Sequence, residues 1–558
     1  MLRYAAFVLP LVPLAIGQSP ILPTDDCPIL GPSFPSDFDL TNSMAIKEAI
    51  AAFPSLIDTL FEGEIPPLNK SATSFQIDVF STQTNTSIYN YSHTGDILAP
   101  ALTAGVLDDG TQFRIGSVSK LYTTYAMLNV AGLEIFDHPV TKYLPELAGN
   151  TEPSDKIIWE EVTVGALASQ QGGSGGFLLG TATCFQTETC DVQAFLAEMR
   201  DIKRPVIPAF QTAMYSDAGF GILGRVLERL TNQTYEDALQ THLAEPLGLK
   251  FTRATVPPTE GLNALAIPPG EGELQGFLSS WAQDNHITAP SGGIYSNTHD
   301  MRLTGLSILH NQLLCANTTR EWMKPRSHTA SLTMSVGAPW EIYRLTIPVS
   351  PNSNRTRVSD LYTKLGGQVA YSAIFALSPD HGICYSILIA GETAATTDRT
   401  YLRDLVGSTF IPAAEFAAFE NALTNYPGTF ADPNNEASNL TIAVDEGKPG
   451  LALPSLFVDG VDWRSNITQP GLQKPSDLFS SRLYPNGVEY PSEGAEPQPR
   501  TQVEGGEGLF ENGCTAWETT GFFTTSDFEL EVVEGRLMSV RMMDSNVTMN
   551  RVSDEVLL

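Results

Sequence analysis

Ser117 and Lys120 stand three residues apart in the stretch Phe113-Arg114-Ile115-Gly116-Ser117-Val118-Ser119-Lys120-Leu121. On a helix that spacing puts both side chains on one face, about one turn apart. A neutral lysine there can take the serine proton, which gives a nucleophile and its base without histidine. Two later stretches carry compatible groups, Tyr215-Ser216-Asp217 and Lys364-Leu365-Gly366-Gly367. A tyrosine can carry a proton to a leaving group, and glycines let backbone N–H groups come close to a developing oxyanion. Taken singly, each stretch has a plainer use: a helix cap, a core tyrosine, a solvated lysine at a strand edge. The chemistry that a working Ser-Lys pair would do is acyl transfer through a serine ester.

Such groups need elements to hold them. Leu121, Tyr125 and Leu128 recur at helical spacing after Ser117, so a helix is expected there with Ser117 at its N-cap. Phe220 to Leu230 reads as a helix just after the tyrosine loop, with Leu223, Val226, Leu227 and Leu230 inward. Tyr235 to Leu243 reads as another, ended by Pro246. Ala370 to Leu377 and Ile383 to Ile389 are apolar strands joined by the turn Pro379-Asp380-His381-Gly382, so Lys364 precedes a strand pair. Met44 to Phe61 is a further expected helix, residues 73–92 a strand pair, and Arg399 to Leu423 a helical stretch interrupted at Pro412. From Tyr426 the texture changes to short strands and turns, with hairpin signals at Asn486-Gly487 and Glu534-Gly535. A loop rich in Pro, Gly and Glu runs from Pro491 to Asn512.

The order Ser-x-x-Lys, Tyr-x-Asp, then Lys-x-Gly before a strand resembles serine β-lactamases and penicillin-binding proteins. The tyrosine in the second motif is similar to the class C and esterase branch. Glu245-Pro246-Leu247-Gly248-Leu249, Ser291-Gly292-Gly293-Ile294-Tyr295-Ser296 with Asp300-Met301, and Gly366-Gly367-Gln368-Val369-Ala370-Tyr371-Ser372 resemble further stretches of that superfamily. The C-terminal β-region and the many glycosylation sequons resemble secreted fungal β-lactamase-like proteins. The resemblance implies an α+β fold, an antiparallel sheet with flanking helices and a helical subdomain, over residues 41–425, followed by an antiparallel all-β domain, sandwich or barrel-like, over 427–558. It implies that Ser117 attacks the carbonyl and that Lys120 is the base, its pKa lowered by burial and by Lys364. Tyr215 would move the proton. The backbone N–H groups of Ser117 and Gly367 would form the oxyanion hole, and Lys364, Gly366, Gly367 and Asp217 would bind substrate. No cofactor is implied, and a biosynthetic role on a secondary metabolite is compatible although no residue assigns it.

Three departures from the superfamily pattern bear on substrate. Asp217 stands where relatives carry Asn, and a carboxylate cannot donate to a substrate carbonyl. It can instead pair with Lys120 and weaken it as a base. Leu365 stands where a hydroxyl residue helps to bind a substrate carboxylate, and Ser169-Gln170-Gln171-Gly172-Gly173-Ser174-Gly175 replaces a His-Thr-Ser-Gly stretch. The departures point to small neutral esters or amides rather than penicillins. They also favour, as alternatives, a catalytically weakened binding protein or an acyltransferase. Gly172-Gly173-Ser174-Gly175-Gly176 matches a G-x-S-x-G elbow, but Val164 to Ser169 before it reads as helix where an elbow needs a strand. The eight histidines are scattered, with no zinc-binding cluster, so no metal is expected.

Bulk properties set the surroundings. The chain has 558 residues, 42% hydrophobic and 17% charged, enough for more than one domain. Its net charge of −31 argues against nucleic-acid binding. Arg3, the apolar run Tyr4 to Ile16 and Ala15-Ile16-Gly17 read as a signal peptide over 1–17, followed by an arm over 18–40. No membrane span is expected, so the protein is expected to be soluble and secreted. Nine sequons, at Asn69, Asn85, Asn90, Asn232, Asn317, Asn354, Asn439, Asn466 and Asn546, fit export. Six cysteines favour disulfides. Cys184 and Cys190 are the expected pair, and Cys384 suits a free buried thiol.

Overall fold

The computed structural model describes residues 30–62, 68–177, 191–268, 279–463, 482–485, 499–501, 528–543 and 545–556. The expected signal peptide, most of the arm, Cys27, Cys184, Cys190, Cys514, Asn466 and the Asn486-Gly487 turn lie outside the described residues. The chain forms two compact units: Pro35–Asn421, and Ala422–Leu558 together with the segment ending at Phe34.

Ile383 to Ala390 shows why the larger unit is layered. Its residues alternate between two apolar environments: Ile383, Tyr385, Ile387 and Ile389 join one core, while Cys384, Leu388 and Ala390 join another. All eight are buried, as a strand covered on both faces requires. It is a central strand of an antiparallel sheet that runs Thr86–His93, Ser74–Ser81, Ile383–Ala390, Tyr371–Ser378, Thr356–Gln368, Glu341–Pro348, Met334–Val336, Ser327–His328. Met44–Glu62 and Arg399–Asn425 cover one face through Ile46, Phe53, Ile57, Leu402, Val406 and Phe410. The other face meets helices that include Ser119–Ala131, Asp217–Thr231 and Thr298–Leu309.

Two expected helix breaks are absent. Arg399–Asn425 continues through Pro412, because the buried face carrying Phe410, Ile411, Ala414 and Ala417 outweighs the roughly 3 kcal/mol that an interior proline costs. The Tyr235 helix passes through a π turn at Gln240–Ala244 and continues past Pro246 to Leu247. Its stop is Gly248, whose φ of +69° is the left-handed conformation that ends helices.

The smaller unit is antiparallel β throughout its described strands. Eight form a path through Pro499–Thr501, Arg482–Pro485, Leu451–Val458, Asn435–Ala443, Gly428–Asp432, Val547–Ser553, Arg536–Met542 and Phe528–Val533, and Val461–Asp462 pairs beside it. Glu534 and Gly535, with φ of +52° and +80°, make the expected tight hairpin turn. Buried Arg482 donates to Asp445 Oδ2 at 2.6 Å and to the Gly450 carbonyl at 2.7 Å, so its charge is paired within the unit.

Among the described residues no helix is long and apolar enough to cross a membrane, and no group of three or more His, Cys, Asp or Glu could hold a metal ion. Cys315 and Cys384 form no disulfide, and Cys384 is the buried thiol that its apolar strand suggested.

Candidate active site

The serine turn is built first from backbone. Phe113–Arg114 pairs with Tyr295–Ser296, and the Ile115 N–H donates to the Ile294 carbonyl at 3.1 Å. Gly116 then takes a φ of +50° and opens a short 3-10 turn, Gly116–Val118. The helix proper begins at Ser119, so Ser117 is not its cap as expected. Ser119 does the local pinning. Its Oγ donates to the Gly116 carbonyl at 2.7 Å and accepts from the Ile294 N–H at 3.0 Å. Ser117 is thereby left half-buried, with its hydroxyl turned to Lys120.

Lys120 is fully buried and its Nζ has three oxygen neighbours: Ser117 Oγ at 3.0 Å, Asp217 Oδ1 at 2.6 Å and the Ser291 carbonyl at 2.7 Å. An ammonium donates three hydrogen bonds and fills all three. A neutral amine donates two and accepts one. Asp217 as a carboxylate and the Ser291 carbonyl can only accept, so the partner that can give a proton is Ser117. The same contacts therefore suit the lysine before and after it takes the serine proton. The charge at hydrogen-bond distance from this amine is the Asp217 carboxylate, the pairing that the second motif raised.

Asp217 is the first residue of the helix Asp217–Thr231, where a carboxylate is favoured by the helix dipole. Ser216 is the cap, its Oγ accepting from the Gly219 N–H at 2.9 Å. The Ser216 N–H donates to Gln170 Oε1 at 2.7 Å, and its hydroxyl meets Ser174 Oγ at 2.9 Å. The glycine-rich stretch thus props the tyrosine loop. Ser174 is buried and follows the short helix Val164–Ala168, so it is no strand-to-helix elbow. Tyr215 is 45% exposed, and its ring centroid lies 4.8 Å from Lys120 Nζ and 5.5 Å from Lys364 Nζ.

Lys364 comes from the strand Thr356–Gln368 and is buried. Its Nζ donates to Glu341 Oε1 and to the Leu365 carbonyl at 2.8 Å. Glu341 Oε2 in turn accepts from the Leu365 N–H at 3.0 Å. Burial pushes the Lys364 ammonium down, but Glu341, Tyr215 and Asp217 together hold it above the usual lysine range. The neighbouring strand pairs no further than Glu341 with Thr363, so the glycines beyond keep one edge open to the serine turn. A Cβ on Gly366 would lie 1.9 Å from the Ile115 carbonyl oxygen and 3.1 Å from the Ser117 nitrogen. A Cβ on Gly116 would lie 2.5 Å from the Gly367 nitrogen. Gly366 is thus the glycine that abuts the serine turn. The missing Cβ of Gly367 points at Ala395 and Arg399.

All seven expected site residues, Ser117, Lys120, Tyr215, Asp217, Lys364, Gly366 and Gly367, therefore gather at one place in the larger unit. Three participants escaped the sequence. Glu341 pairs with Lys364, Arg399 donates to the Gly366 carbonyl at 3.0 Å, and Ser291 supplies the carbonyl on Lys120. Ser291 lies in a stretch already singled out by resemblance. Glu341 and Arg399 had no motif signal, because a single charge at a strand or helix start is common.

Comparison with known proteins identifies similar chains. The family model described as Beta-lactamase matches residues 91–407, and one described as Beta-lactamase-like-like, C-terminal domain, matches residues 418–553. A "Beta-lactamase-like protein" of Arthroderma benhamiae is 26% identical over 513 residues, 83% of this chain and 81% of its own. Proteins named "Probable hydrolase" from Phoma sp. and Cochliobolus lunatus are each 24% identical, over 421 and 447 residues. Each alignment spans 70% of this chain, and 67% and 68% of those proteins.

Proposed function

The chain belongs to the Beta-lactamase family, a family of hydrolases, and on that premise we propose that it is an exported serine hydrolase acting through an acyl-enzyme on a small ester or amide. The observation that carries the reading is the buried Lys120 amine 3.0 Å from Ser117 Oγ, with two further partners that only accept. In the proposed reaction the Ser117 hydroxyl gives its proton to Lys120 as Oγ bonds to the substrate carbonyl carbon. The carbonyl oxygen turns toward the Ser117 and Gly367 N–H groups, a contribution worth about 3 kcal/mol where measured in other enzymes. Tyr215 passes a proton to the departing alkoxide or amine. Water then adds to the acyl-enzyme, gives up a proton by the same route, and releases the acid and free Ser117. An alcohol in place of water would make the protein an acyltransferase.

The Asp217 contact favours a second reading, a weakened enzyme that mainly binds. The 2.6 Å contact is an ion pair when Lys120 is an ammonium, and an ammonium has no lone pair with which to take the serine proton. Labelling with a serine-reactive fluorophosphonate separates the two. The hydrolase reading expects labelling of the native protein and of Ser174→Ala, none of Ser117→Ala, and turnover of simple aryl esters ahead of a cephalosporin or D-Ala-D-Ala. Absence of both labelling and turnover would leave the binding reading.

Export is proposed from the N-terminal segment and the sequons. Of the eight sequon asparagines among the described residues, Asn69, Asn85, Asn90, Asn232, Asn317, Asn354 and Asn546 are exposed and Asn439 is half-buried. All seven exposed ones can meet the glycosylation machinery.

A further inference from the structure

The carboxylate that pairs with Lys120 is not fully used. Asp217 Oδ1 takes the lysine, and the side chain remains 44% exposed. Among the described residues it has no other hydrogen-bond partner. Lys120 touches both Asp217 Oδ1 and Ser117 Oγ. The two oxygens therefore lie within two hydrogen-bond lengths of one another, roughly 6 Å. That is the reach between a carbonyl under attack and a substituent on the first or second carbon of its acyl group. A carboxylate offers only acceptors there. An acyl group with a ketone or carboxylate at that place meets another acceptor, while one with a hydroxyl or an ammonium gains a hydrogen bond.

The surrounding charges point the same way. Both cations beside Tyr215 have carboxylate partners, Lys120 with Asp217 and Lys364 with Glu341. Both oxygens of Glu341 are engaged, so Lys364 is neutralised where it stands. Arg399 is a third cation, but it binds the Gly366 carbonyl at the glycine strand and not the tyrosine loop. The net charge of −31 adds a long-range field that draws cations and repels anions.

We propose that Asp217 makes this site select acyl groups bearing a hydrogen-bond donor, ammonium before hydroxyl, on the first or second carbon from the scissile carbonyl. The inference rests on Ser117 being the nucleophile of the proposed hydrolase. Charge-assisted hydrogen bonds are about twice as strong as neutral ones, which sets the order ammonium, hydroxyl, methyl, carboxylate.

4-Nitrobenzyl esters of four acyl groups of matched shape test it: alanine in both enantiomers, lactate, isobutyrate and methylmalonate, assayed below the pKa of the amine. The expected kcat/KM for one alanine enantiomer exceeds that for isobutyrate by about ten-fold or more, with methylmalonate the poorest. In Asp217→Asn the alanine-to-isobutyrate ratio is expected to fall below about two-fold. The ratio is taken within each protein, so any change in Lys120 as a base cancels. A ratio that Asp217→Asn leaves unchanged, or a native preference for isobutyrate or methylmalonate, overturns the proposal. Calorimetry of alaninamide and isobutyramide binding to Ser117→Ala, with and without Asp217→Asn, keeps the serine reading separate. Asp217-dependent binding of alaninamide without fluorophosphonate labelling of the native protein would overturn the nucleophile and support the selectivity. Labelling at Ser117 without any alanine preference, or binding of neither amide without an ester preference, would overturn the selectivity.

Discussion

Two ionic centres in the larger unit use similar chemistry and differ in one respect. Beside Ser117, Lys120 and Lys364 pair with Asp217 and Glu341. Behind the sheet, Arg357 pairs with Glu415 at 2.7 Å and with Asp380 at 3.2 Å. In that second centre His381 Nδ1 lies 2.7 Å from Ser378 Oγ, and its Nε2 lies 2.9 Å from Glu415 Oε2. Serine, histidine and glutamate in hydrogen-bonded series would suit a hydrolase triad. Yet the side chains of His381 and Glu415 are 1% and 2% exposed, and Ser378 is buried. No substrate carbonyl can reach that hydroxyl. At Ser117 the lysines are just as buried, but Asp217 and Tyr215 remain nearly half exposed and Ser117 half-buried. A satisfied network with no face to solvent holds the fold, and one with an exposed face can do chemistry.

Replacing the two serines should break the comparison most sharply. Ser117→Ala is expected to lower ester turnover by roughly 10³-fold or more, whereas Ser378→Ala leaves turnover and fluorophosphonate labelling in place. A loss of labelling in Ser378→Ala with the fold intact by circular dichroism would reverse the assignment of the two centres. Arg357→Ala should act on stability instead. It leaves Glu415 buried without its main partner, a change that costs about 3–5 kcal/mol and is read as a fall in the denaturation midpoint. Gly366→Ala stands between the two kinds of effect. Its methyl group would push on the Ile115 carbonyl and displace the serine turn, so kcat/KM should fall about 10²-fold while the circular dichroism spectrum is kept.

Acid should separate the centres more gently. Burial pushes Glu415 up, but Arg357 and His381 outweigh it and hold the carboxyl at about 2, against the usual 4.5. In that interval the unfolded chain binds more protons than the folded one. The stability owed to Glu415 is therefore whole above about pH 4.5 and is lost progressively as the pH falls toward about 2. Denaturant titrations at stepped pH should show this slope in the native protein and a shallower one in Glu415→Gln. An identical slope in both would remove Glu415 as the cause.

Much of the site was legible because its parts carry local signals. The Ser117 and Lys120 spacing, the tyrosine before an amphipathic helix and the glycines before an apolar strand pair are each set within a few residues. The apolar run from Ile383 to Ile389 likewise announces a buried strand. The hairpin at Glu534-Gly535 needs only residues that accept a positive φ. The misread breaks at Pro246 and Pro412 were also local inferences, and tertiary burial overrode them. The Ser117 cap failed for a related reason. The turn opened by the positive φ of Gly116 shifted the helix start by one residue and gave Ser119 the pinning role.

By itself, the sequence determined the order of the three motifs and the apolar faces. Only the tertiary structure decided which charge stands beside which lysine. Asp217 reaches Lys120 across 97 residues of chain, and Glu341 reaches Lys364 across 23. Contacts at that separation depend on how helices dock and where strand pairing ends, and no local pattern encodes either. The same placement left Ser117 in reach of solvent and closed Ser378 away from it. Residue types supply nucleophiles, bases and carboxylates, and packing fixes which of them meet and which can be reached.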